Sequence, residues 1–294
     1  MYTIVGATGK IGSVITRKLL ERGEKVRAIG RNAASLQELS NFGAEAFTGS
    51  IHDVEFLHRA FDGATAVFSM IPPNVQAEDF QKYSDMTGEA LCRALSASRA
   101  TYVVNLSSLG AEVPQGTGPI AGLHRQEQRL NRLDAINILH LRPTFFMENL
   151  LANIPMIKAM GINGSAFRAD LPIPMIATRD VADVAKEHLL KLDFTGKTIL
   201  TLLGEREVTM VEATRILCAA IGRPDVPYVQ FAYEDAIRGM VQAGISLDVA
   251  RTYAEMVRAF NDGLIRPVTR NAENTTPTSL EQFATSVFAS TYGI

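Results

Sequence analysis

Seven residues near the amino terminus, Gly6-Ala7-Thr8-Gly9-Lys10-Ile11-Gly12, constrain the fold more than any other stretch of the chain. They follow a β-rich run, Tyr2 to Val5, and lead into Ile11, Val14, Ile15, Leu19 and Leu20, whose spacing is helical. A strand that turns directly into a helix leaves free N–H groups and the positive end of the helix dipole at the turn, an arrangement that suits a phosphate. In that setting Gly6 permits the tight turn, Gly9 lets a pyrophosphate approach the backbone, and Gly12 lets helix and strand pack closely. The pattern is that of a dinucleotide-binding βαβ unit.

The alternation continues through the first half. Gly23 stops the first helix, and strands are predicted over Lys25 to Gly30, Ala44 to Thr48, Ala64 to Ile71, Tyr102 to Leu106 and Ile136 to Leu141. Helices are predicted over Val54 to Phe61, over about Glu78 to Ala97, and, after a Gly-rich loop from Ser107 to Gly122, onward to about Arg132. Strands separated by helices of this length pair in parallel through right-handed crossovers, so the fold class is α/β, a doubly wound parallel Rossmann sheet. After Arg142-Pro143 the pattern loosens. Helices are expected over Leu150 to Met160, Arg179 to Leu192, Met210 to Ile221, Tyr233 to Gln242 and Leu247 to Asn261, with strands near Thr198 to Leu202 and Tyr228 to Phe231. Thr278 and Glu281 read as a capping box that starts a last helix, Leu280 to Phe288. No flexible linker separates the halves, so the expected division is a Rossmann domain over 1–150 and a smaller, mainly helical C-terminal substrate lobe over 151–294, packed as one unit.

Composition removes other classes. The 294 residues carry a net charge of −2, which argues against nucleic acid or an anionic membrane surface as the main partner. Hydrophobic residues make up 47% and charged residues 20%, the balance of a chain that can bury a core. Cys92 and Cys218 lie in separate helical patterns with no ligand-spaced neighbour, so two free thiols are expected and no metal site. No apolar run is long enough to span a bilayer, and Met1 to Gly6 reads as a strand rather than a leader; the expected location is cytoplasmic and reducing.

The end of the second strand chooses the cofactor. An acid there takes the ribose hydroxyls of NAD, whereas an Arg accommodates the 2′-phosphate of NADP. Here the residues are Gly30-Arg31-Asn32, with Arg31 the candidate phosphate ligand and Lys10 a second cation. NADP(H) is therefore preferred, with NAD(H) the alternative if Arg31 is only a solvated surface charge.

The glycine motif, Arg31-Asn32, Ser107-Ser108 and the run Leu141-Arg142-Pro143-Thr144-Phe145-Phe146-Met147-Glu148-Asn149 together resemble the NmrA-like branch of the atypical short-chain dehydrogenase/reductases. Ala177 to Ala182 and the closing Thr-Pro-Thr-Ser-Leu-Glu-Gln-Phe segment are similar to the same branch. The resemblance implies that Thr8 to Gly12 hold the pyrophosphate and Arg31 with Asn32 the adenosine end. It places Ser50 and Ile51 beside the adenine, Ser69, Met70, Ile71 and Pro72 under the nicotinamide ribose, and Pro143, Thr144 and Phe145 near the carboxamide. Relatives often carry Asp directly after Gly49 for the adenine amino group, and this chain has Ser50.

Short-chain dehydrogenases that oxidise alcohols pair a Ser with a Tyr-x-x-x-Lys on the next helix, the Lys lowering the Tyr pKa for proton exchange. Ser107 or Ser108 supplies the Ser, but in motif order His124 stands for the Tyr and Gln128 for the Lys. Two readings follow. In one, the protein is an NADPH-dependent reductase of a small electrophilic, aromatic acceptor of the quinone or azo type, with Ser107 and His124 as candidate catalytic residues and His124 as proton donor. In the other, it is a non-catalytic NADP(H) sensor of the NmrA type whose lobe engages a protein partner.

Other groups have plainer readings. Arg125, Arg129 and Arg132 form a basic helix stripe, read as a solvated face. Asp180 is read as the cap of its own helix. Phe145, Phe146, Met147, Met156 and Met160 are candidates for an apolar pocket, and the loop from Ser107 to Gly122 for a flap over the nicotinamide.

Overall fold

The computed structural model describes residues 1–266 and 268–293. Its first half reads β1 (Tyr2–Ile4), α1 (Lys10–Glu21), β2 (Val26–Gly30), α2 (Ala33–Asn41), β3 (Glu45–Thr48), α3 (Val54–Phe61), β4 (Ala66–Ser69), α4 (Phe80–Ala97), β5 (Tyr102–Leu106), α5 (Pro119–Asn131) and β6 (Asn137–Pro143). Then come β7 (Phe145–Phe146), a 3₁₀ turn (Met147–Asn153), α6 (Ile154–Met160), β8 (Asn163–Ser165), β9 (Ile173–Ile176), α7 (Thr178–Lys191) and β10 (Lys197–Leu202). The chain closes with β11 (Glu207–Val208), α8 (Met210–Ala220), β12 (Tyr228–Gln230), α9 (Tyr233–Gln242), α10 (Leu247–Asn261), α11 (Leu280–Phe283), a π turn (Ala284–Phe288) and α12 (Ala289–Tyr292).

A seven-stranded sheet in the order β10-β6-β5-β4-β1-β2-β3, parallel throughout, forms the centre. Both faces are buried, as a parallel sheet between helix layers requires. Alternate residues serve the two layers: Ile4, Ala28, Phe68, Val104 and Leu139 pack under α1 and α7, whereas Val5, Ile29, Val67, Val103 and Ile138 pack under α3 and α4. This is the doubly wound class expected from the alternation of strands and helices.

The sheet does not end where the first half of the chain does. Strand β10 pairs with β6 from Lys197↔Ile138 to Leu202↔Pro143, and α7 packs on α1, so residues beyond 150 complete the Rossmann layer. A second core, around Met147, Phe167, Met175, Leu217, Phe283 and Phe288, belongs to the C-terminal lobe.

Several local expectations change. Asn32 caps α2, a helix without a sequence assignment, through its side-chain oxygen on Ala34 N at 2.8 Å. The capping box of the last helix is Ser279 with Gln282, not Thr278 with Glu281, because the Thr278 amide and hydroxyl both donate to Asp180, at 2.9 and 2.6 Å. Asp180 is thus a clamp for the C-terminal segment rather than the cap of α7. That cap is Glu148, which accepts from Thr178 N at 3.0 Å and from Thr178 Oγ1 at 2.5 Å. Arg125 and Arg129 are not a solvated stripe: both reach Asp85 on α4, at 2.8 and 2.5 Å. Cys218 is buried and Cys92 partly exposed, both free thiols. Among the described residues no helix is long and apolar enough to cross a membrane.

Candidate functional site

The turn after β1 has the geometry that its glycines predict. Gly6 sits at φ +67°, in the left-handed region, and a Cβ there would lie 2.8 Å from Met70 Sδ. Gly12 faces the turn so closely that a Cβ would stand 2.3 Å from the Gly6 carbonyl oxygen. Gly9 is the N-cap of α1 and brings no capping side chain, and the first turn of the helix has no acid. The amides of Lys10, Ile11 and Gly12 have no acceptor among the described residues. Unpaired N–H groups at the positive end of a twelve-residue helix form a cradle that suits an anion such as a pyrophosphate.

The other expected cofactor positions lie at the carboxyl ends of neighbouring strands. Arg31 and Lys10 are exposed. Arg31 stands near Tyr83, whose hydroxyl donates to Pro72 O at 2.9 Å; burial raises the phenol pKa, opposed by the Thr87 hydrogen bond and the Arg31 charge. Ser50 accepts from His52 N at 3.2 Å, and Ile51 is buried at the rim of the sheet core. Ser69 ends β4 with its hydroxyl buried and without a partner among the described residues, the kind of orphan that a ribose hydroxyl would satisfy. Met70 and Ile71 are partly buried against the core, with Pro72 beside them. Pro143 ends β6; the Thr144 hydroxyl is committed to Pro174 O at 2.7 Å, and the Phe145 ring packs edge-on against Phe167 at 5.5 Å. The free amides, the orphan hydroxyl and the close-packed glycines fit a dinucleotide.

At the end of β5 the structure adds what the sequence did not single out. Ser107, 4% exposed, donates its hydroxyl hydrogen to Glu127 Oε1 at 2.5 Å. Glu127 is buried on α5 and held by Arg142, with Nε to Oε1 at 2.9 Å and Nη2 to Oε2 at 2.6 Å, while Arg142 Nη1 reaches Glu112 at 3.0 Å. A carboxylate paired with a guanidinium only accepts, so the single Ser107 proton stays with it. His124 lies three residues before Glu127, and its Nδ1 bonds Ala111 O at 2.8 Å. A carbonyl only accepts, so Nδ1 carries a hydrogen and Nε2 takes no part in this bond.

The apolar surroundings differ from the expected set. Met147 is buried in the lobe core and Met160 is 66% exposed. The Gly-rich loop is not a free flap. Its Gly110, Gly116 and Gly118 all have positive φ and carry it under Ile265, Leu264 and the backbone of α10.

A parallel α/β sheet with a phosphate-binding turn at its first crossover defines a nicotinamide dinucleotide-binding protein. The chain belongs to the NAD(P)H-binding family, whose pattern matches residues 6–190, as the resemblance to the NmrA-like branch implies. It is similar to the (4-alkanoyl-5-oxo-2,5-dihydrofuran-3-yl)methyl phosphate reductase of Streptomyces griseus, 28% identical over 76% of this chain and 75% of that one. The NAD(P)H azoreductase of Xenophilus azovorans is also 28% identical, over 87% of this chain and 86% of its own. Among solved structures, the NADPH-dependent quinone oxidoreductase QOR2 of Escherichia coli, complexed with NADPH, shares the fold at a TM-score of 0.76 and 20% identity, covering 98% of this chain and 100% of its own.

Proposed function

We propose that the protein reduces a small electrophilic, aromatic acceptor of the quinone or azo type with NADPH, by direct hydride transfer. NADPH, when bound, supplies the hydride. His124 Nε2 gives the balancing proton to the reduced acceptor and regains it from solvent, so that NADPH and one proton become NADP⁺ and the two-electron-reduced product. The observation that carries the reading is the Ser107 proton bound to the Glu127–Arg142 pair. A site without a free serine hydrogen, and with an imidazole in the phenol's place, is poorly equipped to stabilise an alkoxide. It suits an acceptor that takes hydride without that help. Arg31 at the end of β2, where no acid stands, supports NADP(H) over NAD(H). The azo relative and the phosphate-ester reductase, which both carry reductase names, support the class of reaction.

The test is nicotinamide fluorescence: NADPH bound to the protein, then a panel of quinones and azo dyes. Steady decay with one acceptor class is expected, and His124→Ala should slow it by about a hundredfold while leaving NADPH affinity in place. Binding without decay for every acceptor would instead favour the sensor reading.

A further inference from the structure

Helix α10 bridges two segments that leave adjacent strands of the sheet. Val249 and Tyr253 pack on Ala77 and Phe80, in the stretch that follows β4. One turn further on, Met256 and Ala259 pack on Leu109, Ala111 and Ile120, in the stretch that follows β5. Residues 249, 253, 256 and 260 recur at helical spacing, so one face of α10 meets both segments and lies across the gap between them. The helix is fixed at its start. Ser246 N donates to Val75 O at 2.9 Å, Ser246 Oγ to Ala77 O at 2.6 Å, and Phe80 N donates to Asp248 Oδ2 at 2.8 Å. It is fixed in the middle as well, where a Cβ on Gly118 would stand 2.1 Å from Thr252 O. At its far end Phe260 packs at a tilt on Phe167, 5.9 Å between centroids, and Phe167 edge-on against Phe145. The segments α10 packs on continue from the strand ends that carry Ser69 and Ser107, and Phe167 links it to Phe145.

Tyr253 is a polar residue on that face. Its ring lies against Phe80, 6.5 Å between centroids. Its hydroxyl makes no hydrogen bond among the described residues and is not one of their sealed polar atoms. Burial pushes the phenol pKa up, which keeps the group protonated. The Ser107 hydroxyl hydrogen is already spent on Glu127, and the His124 Nδ1 hydrogen on Ala111 O.

We infer that α10 forms the roof of the substrate site and that Tyr253 donates its hydroxyl hydrogen to a polar atom of the bound aromatic acceptor, setting specificity from the C-terminal lobe. The inference rests on the reductase reading for the identity of the ligand. The phenol binds the acceptor; it neither replaces His124 as proton source nor touches the pyrophosphate cradle.

The experiment uses the full chain, wild type and Tyr253→Phe, with 1,4-naphthoquinone as probe, read two ways: calorimetric binding to the protein–NADP⁺ complex, and steady-state turnover with NADPH. Loss of one hydrogen bond should weaken quinone binding and raise its KM by about five- to tenfold, with the NADPH dissociation constant unchanged. Equal quinone affinity in both proteins, or no quinone binding to the wild type, overturns the inference. A matching loss of NADPH affinity would also overturn it, by assigning the phenol to the cofactor. Quinone that binds the wild type more tightly than the variant but is never reduced would support Tyr253 and sink the reductase reading alone.

Discussion

A methyl group on residue 12 has nowhere to go, because the Gly6 carbonyl oxygen and the Ala7 Cα already fill its place at 2.3 and 3.0 Å. Gly12→Ala must therefore push α1 off the turn and spoil the amide cradle. A loss of about tenfold or more in NADPH affinity is expected by fluorescence titration, with overpacking costing about 1–3 kcal/mol in urea unfolding. A second residue effect concerns pH. His140 on β6, 1% exposed, accepts from Asn105 Nδ2 at 3.1 Å and donates to Asn131 Oδ1 at 2.9 Å, so it is neutral in the fold. Burial first, then the charges of Arg142 and Lys197, lower its pKa from 6.5 to about 4 against the opposing pull of Glu127. Between those values the unfolded chain binds a proton that the native one refuses, so stability falls as pH drops below 6.5 and levels off near 4. The loss at pH 5 relative to neutrality is expected to be about 2 kcal/mol in urea unfolding, and His140→Gln should flatten that slope. The three glycines were legible because each has one steric meaning in a strand-turn-helix context. Glu127 was not, since an acid inside Arg125-Gln126-Glu127-Gln128 looks solvated until β6 brings Arg142 beside it.

Elements whose signal is periodic could be read directly: α3, α9 and α10 run over the residues predicted for them, and so does β5. Those that depend on a distant partner could not. Strand β9 contains Pro174, which counts against a strand on local grounds, yet its carbonyl accepts the Thr144 hydroxyl and its residues pair with β7 and β11. The helix after it shows the same dependence. The N-cap of α7 is Ala177, whose side chain cannot cap, and the missing acceptor for Thr178 comes from Glu148, 30 residues upstream of it. The Arg-Pro-x-x-Phe-Met-Glu-Asn run therefore has a structural function, carried by Glu148. Glu148→Ala leaves the Thr178 amide and hydroxyl without that charge-assisted acceptor, and a loss of about 2 kcal/mol in urea unfolding is expected. A value within 0.5 kcal/mol of wild type, about the scatter of neutral surface changes, would mean that water replaces the carboxylate at no cost.

At the scale of the molecule, the chain beyond residue 150 returns repeatedly to the first half. It lays β10 along β6, packs α7 on α1, and ties the start of α10 to Val75, Ala77 and Phe80. The closing segment is tied in turn to these returning elements, through Thr278 on Asp180 and Thr276 N on Leu203 O at 2.9 Å. Unfolding the lobe alone would strip an edge strand and a covering helix from the Rossmann sheet, leaving apolar residues such as Val181, Ala185 and Leu189 without their partners. Cooperative loss of both halves is therefore the expected event, one calorimetric transition rather than two. The cradle on α1 and the roof on α10 belong to that same unit, so a ligand held between them stabilises all of it. Saturation with NADPH at about 100 times its dissociation constant should raise the single transition by the equivalent of about 2.7 kcal/mol. Two transitions, only the first moved by NADPH, would show that the lobe melts apart from the sheet and that its ties to α1 and β6 are weaker than their geometry implies.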